Sequence, residues 1–77
     1  MPTIPTSAQI KAARALLEWS QSQTSEKAGM STMTLKRAEG SGSPVPSPET
    51  MMRLRRIFEA AGVIFIEAKG ENPGVRL

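Results

Sequence analysis

Residues 19–40 read WSQSQTSEKAGMSTMTLKRAEG, and their punctuation sets the fold. Ser20 can accept a hydrogen bond from the first turn of a helix beginning at Gln21. Gly29 follows eight residues later and suits the left-handed conformation that ends helices. Ser31 can cap a further helix, Thr32 to about Glu39, which stops at Gly40. Two helices that cross at ~90–120° through a short turn need a residue there that tolerates positive φ, and Gly29 supplies it. Ser25, on the same helix face as Gly29, is small where the helices close, and Ala28, Met30 and Leu35 are expected to point into a shared core. The layout is that of a helix-turn-helix.

Outward from this pair, Thr6 and Gln9 form a capping-box pattern that starts a helix over about 7–18, with Ile10, Ala13, Leu16 and Leu17 at helical spacing. Residues 1–6, with two prolines, read as a loose arm. Residues 40–47 are turn formers and read as a linker. Ser47, Pro48 and Glu49 then favour the start of a helix over 48–61, whose apolar face is Met51, Leu54, Ile57, Phe58 and Ala61. Gly62 stops it. Val63-Ile64-Phe65-Ile66-Glu67-Ala68 reads as a strand, Lys69 to Gly74 as a turn, and Val75-Arg76-Leu77 as extended. The expected fold is mostly α: a four-helix domain over 7–62 and a C-terminal β-strand and tail over 63–77.

Composition narrows the chemistry. The hydrophobic set is 39% of 77 residues, and six glycines bring it to about 47%, typical of a folded domain. Cysteine and histidine are both absent, which removes disulfides, thiolate nucleophiles, zinc fingers and histidine-based triads. Carboxylate pairs and nucleophile–base arrangements are not evident either, so neither catalysis nor a cofactor or metal is expected. Gly40-Ser41-Gly42-Ser43 lacks the Gly-Lys-Ser/Thr ending of a phosphate loop and reads as plain linker. MPTIPTSA lacks the basic start and apolar stretch of a secretory signal, and the apolar run from Ala60 to Ile66 is too short for a membrane span. A cytoplasmic protein is expected. Ten Lys/Arg against seven Asp/Glu give +3, a balance that favours anionic partners.

The third helix is the candidate for reading DNA. Arg37 can donate two hydrogen bonds to guanine O6 and N7, while Thr32 and Thr34 can bond base edges or phosphates. Lys36 adds a second cation. Ser20 and Gln21 can bring an amide side chain and backbone amides to a phosphate. Each has a plainer reading. Lys36 and Arg37 also fit a solvated face, as does the cluster Arg53, Arg55, Arg56. Met33 fits a thymine-methyl contact or a core residue leaning towards the fourth helix. Trp19 reads as packing.

These residues resemble the helix-turn-helix of the phage-repressor-like (Xre/Cro) transcriptional regulators. The matched features are Ser20-Gln21, Gly29, Ser31, Leu35 and Arg37-x-Glu39-Gly40. The resemblance implies that Arg14 pairs with Glu39. EAAGVIFIEAKGENPGVRL is similar to the end of a short bacterial subgroup in which the fourth helix leads into a strand, so the likeness runs from about Ser7 to Leu77. Three positions depart from it. Thr24 stands where members carry a large aliphatic residue, Ser25 where they carry alanine, and Ala38 where they carry leucine or isoleucine. Met30, Met33, Met51 and Met52 are available to fill the space.

A lone strand with apolar residues on both faces needs a partner. Val75 to Leu77 can fold back on it, or Val63, Ile64, Phe65 and Ile66 can pair with the same strand of a second copy. A two-fold homodimer would match palindromic half-sites ~34 Å apart. The expected function is a sequence-specific DNA-binding transcriptional regulator, taken as a repressor, on a short inverted repeat. The alternative is an anti-activator or antitoxin on the same scaffold, holding a transcriptional activator or toxin with or without binding DNA.

Overall fold

Helix α1 (Ser7–Leu16) opens with the Thr6 hydroxyl accepting from the Gln9 amide at 3.1 Å, while Gln9 Oε1 accepts from the Thr6 amide at 2.9 Å. The computed structural model describes residues 3–67 and 73–77. Helix α1 ends before the expected position near 18, because Glu18 adopts a φ of 56° and turns the chain towards α2. Helices α2 (Gln21–Ala28), α3 (Thr32–Ala38) and α4 (Pro48–Ala60) follow, capped by Ser20, Ser31 and Ser47. The last two stop one residue short of the expected ends, where Glu39 and Ala61 act as C-caps.

Strands β1 (Ile64–Ile66) and β2 (Gly74–Arg76) form a two-stranded antiparallel sheet with Ile64 opposite Arg76, Phe65 opposite Val75 and Ile66 opposite Gly74. Of the two partners open to the strand, the chain uses its own C-terminus. The strand is shorter than the expected 63–68. The Val63 amide instead donates to the Phe58 carbonyl at 3.0 Å and closes the end of α4. Ala68 and the expected turn residues Lys69 to Asn72 lie outside the described residues, as do Met1 and Pro2 of the arm.

The core sits between α1, α4 and the inner face of the hairpin, with Leu35 and Ala38 of α3 and Ala28 of α2 closing it. Trp19, Phe58 and Phe65 stack through it with ring centroids 5.8 and 6.5 Å apart. Val63 and Phe65 belong to this core, so their side chains cannot meet a second copy; only Ile64 and Ile66 of the expected dimerisation set face outward. Thr24, Ser25 and Ala38 are buried as small residues. The two hydroxyls bond backbone carbonyls of their own helix turn, Thr24 Oγ1 to Ser20 at 2.8 Å and Ser25 Oγ to Ser22 at 3.0 Å. No unpaired polar group is therefore buried with them. Met30 and Met51 pack at the core, but Met33 does not.

Arg55 departs from the solvated face expected of the Arg53, Arg55, Arg56 cluster. It is buried to 5% exposure at the edge of the Met51, Leu54, Phe58 stripe. Its guanidinium meets Glu67 at 2.7 Å, Glu59 at 3.2 Å and the Thr3 carbonyl at 2.9 Å, and lies over the Phe65 ring. Arg53 and Arg56 are exposed, as expected.

Candidate nucleic-acid interface

The α2–α3 pair presents the chemistry. At the start of α2 the Ser20 hydroxyl accepts from the Gln23 amide at 3.0 Å, and Gln23 Oε1 accepts from the Ser20 amide at 3.0 Å. The amides of Gln21 and Ser22 belong to the first turn, which has no intrahelical acceptor to offer them. The turn closes through Gly29 at φ 65°, ψ 36°, with the Met30 amide donating to the Ser25 carbonyl at 3.0 Å. Ser31 Oγ then accepts from the Thr34 amide at 3.1 Å and starts α3.

Helical spacing divides α3 cleanly. Leu35 and Ala38 point inward and are fully buried. Met33 and Lys36 are exposed on the opposite side, Arg37, half-buried, borders them, and Thr32, exposed in the first turn, stands at the flank three positions before Leu35. Thr32 lies beneath Lys36 and Met33 beneath Arg37, each pair one helical turn apart. Met33 is 60% exposed, so the thioether points to solvent and not towards α4. Thr34 is half-buried and its hydroxyl lies 3.0 Å from Ser31 Oγ, which draws both hydroxyls into the cap. Thr32 Oγ1 sits 3.5 Å from Ser25 Oγ.

Electrostatics sharpen this face. Lys36 and Arg37 take part in no ion pair or side-chain hydrogen bond among the described residues. The nearest carboxylate in sequence, Glu39, is turned inward with its side chain only 3% exposed. Arg14 grips it bidentately, Nε to Oε2 at 2.6 Å and Nη2 to Oε1 at 3.1 Å, and its Nη1 donates to the Trp19 carbonyl at 2.9 Å. Gln21 Nε2 also donates to Glu39 Oε1, at 3.3 Å. The α3 surface is thereby left cationic. The same bond ties the Gln21 amide group to Glu39, so the position read from sequence as a phosphate contact also steadies the pair. Trp19 packs on Phe58, with Lys27 Nζ 5.0 Å above its ring.

Two polar residues that organise the domain were not singled out as such from the sequence: Gln9 and Arg55. Gln9 stood within a capping pattern, and Arg55 at the flank of an apolar helical stripe. Among the described residues no group of three or more acidic residues gathers as a metal site. No helix among the described residues is long and apolar enough to cross a membrane.

No family model matches this chain, and no curated protein or solved structure does either.

Proposed function

We propose that this chain is a DNA-binding transcriptional regulator of the phage-repressor-like (Xre/Cro) helix-turn-helix kind, with α3 entering the major groove. The observation that carries the reading is the outward face of α3. Met33, Lys36 and Arg37 stand together there with Thr32 at the flank, while the adjacent carboxylate Glu39 is withdrawn by Arg14. A helix face that offers cations, a hydroxyl and an apolar tip fits base edges and phosphates. Ser20 and Gln21 bring the start of α2 to the flanking backbone, Ser31 fixes the entry of α3, and Gly29 and Leu35 hold the angle.

The working form in this reading is a homodimer that represses from a short inverted repeat. The second copy docks on the outer face of the hairpin, where Ile64 and Ile66 are 45% and 42% exposed. That same apolar face favours the second reading, an anti-activator or antitoxin that holds a protein partner.

Selection from a random-sequence duplex pool at two salt concentrations separates them. A regulator enriches a palindrome, and log affinity falls against log salt by about 0.9 per phosphate neutralised. Arg37→Ala relaxes one base position and costs ~1–3 kcal/mol. No enrichment, with affinity for a protein partner that barely responds to salt, overturns the DNA reading in favour of the second.

A further inference from the structure

We infer that Met33 is an oxidation site through which peroxide-class oxidants regulate DNA binding, an inference that rests on the DNA reading above. The chain contains no cysteine, so its thioethers face no competing thiol. They are unequally accessible. Met33 is 60% exposed on α3, Met51 is 4% exposed in the core, and Met30 and Met52 are half-buried. Because Met33 contributes nothing to the core cluster, its oxidation leaves the packing intact and acts on the surface alone.

The step is a two-electron transfer. The Met33 sulfur attacks one oxygen of a hydroperoxide, an S–O bond forms and the O–O bond breaks. The departing oxygen takes a proton and leaves as water or an alcohol. The product replaces an apolar, weakly accepting thioether by a polar sulfoxide whose oxygen is a strong acceptor. Lys36 and Arg37 stand three and four positions further along the helix, within reach on the same face, and neither has another side-chain partner among the described residues. The sulfoxide oxygen therefore accepts from the cations that would read DNA, while the methyl contact is lost. Reduction of the sulfoxide reverses both effects.

The test is a hydrogen peroxide titration of the full chain followed by peptide mass mapping, with affinity measured before and after. The probes are a random-sequence duplex at low salt and any duplex enriched from the pool. Met33 should gain oxygen about tenfold faster than Met51. Bound duplex should slow that gain. Affinity should fall about tenfold on oxidation and return after treatment with methionine sulfoxide reductases. Met33→Leu, whatever its starting affinity, should show the same affinity before and after peroxide. Oxidation of Met33 no faster than Met51, or equal peroxide losses in wild type and Met33→Leu, overturns the proposal. DNA binding that survives selective Met33 oxidation overturns the switch alone. Absence of any duplex binding by the reduced protein overturns the DNA reading and the switch with it.

Discussion

The Gln9 side chain bonds the Gly74 carbonyl at 3.0 Å, joining positions 65 residues apart. The same Nε2 group donates to the Ile66 carbonyl at 3.2 Å, so one amide holds the facing ends of both strands. Its Oε1 meanwhile accepts from the Thr6 amide and completes the capping box of α1. A hairpin of three residues per strand is unstable alone. Here it is anchored by a buried amide as well as by Phe65.

Gln9→Ala should therefore cost about 2–4 kcal/mol, because a cap is weakened and two carbonyls lose their shared donor. Urea denaturation measures it. Gln9→Glu separates the two roles. A carboxylate can still accept at the cap but has no donor for Ile66 and Gly74. That variant should be less stable at pH 7 than its difference from wild type near pH ~4 suggests, since protonation restores one donor. A pH-independent difference from wild type would show that the strand carbonyls do not depend on Gln9.

Arg14 and Glu39 form a largely buried bidentate pair, so removing one partner strands the other. Arg14→Ala should cost about 3–5 kcal/mol, and the double replacement Arg14→Met with Glu39→Met should cost less than Arg14→Ala alone. Arg14→Lys should lie between wild type and alanine, because a single ammonium cannot serve both carboxylate oxygens and the Trp19 carbonyl. Urea midpoints of wild type, Arg14→Met, Glu39→Met and the double variant form a double-mutant cycle; additive losses would mean the pair is not coupled.

What was legible in the sequence is what is decided within a few residues. Thr6, Ser20, Ser31 and Ser47 each cap a helix because a short side-chain acceptor reaches an amide three positions on. Gly29 could be placed for the same local reason. Met33 could not be oriented, since a helix of seven residues spans two turns and its apolar period is carried by Leu35 and Ala38 alone. Arg55 cannot be placed from sequence because its partners Thr3 and Glu67 come from opposite ends of the chain and meet only once the hairpin docks. The choice of β2 as the strand partner is likewise decided by α1, through Gln9. The residue types on the outward face of α3 were readable, and the family resemblance implied the Arg14–Glu39 pair that the structure contains; the near-complete burial of the Glu39 side chain, which leaves that face cationic, is a three-dimensional fact.

Arg55 gives the third test. Burial alone would lower its pKa, but hydrogen bonds and charge from Glu67 and Glu59 outweigh that and raise it above the ordinary arginine value. A folded-state value above the unfolded one stabilises the protein at every pH below the unfolded pKa and is lost only as pH rises past it. The guanidinium thus stays charged across the range in which the protein is handled, and its own titration adds no slope to stability between pH ~6 and ~9. Arg55→Ala should cost about 2–4 kcal/mol, losing both the ion pairs and the cover over Phe65. Arg55→Met keeps part of that cover and should cost less. Equal losses for the two variants would assign the whole contribution to charge.

Gly29 offers the sharpest sign change. It holds a φ of 65°, and a Cβ built there meets no atom within 4 Å. Space is therefore not the constraint, and the cost of a side chain is backbone strain alone. Gly29→Ala should lose about 1–2 kcal/mol, the penalty of an L-residue in the left-handed region, and Gly29→Asn less. A chain of 77 residues is within reach of chemical ligation, so D-alanine can be placed at the same position. For a D-residue that φ is the favoured one, and the added methyl restricts the unfolded chain. Stability should then rise by about 0.4–1 kcal/mol over glycine. If both enantiomers destabilise equally in urea, crowding and not chirality governs the turn.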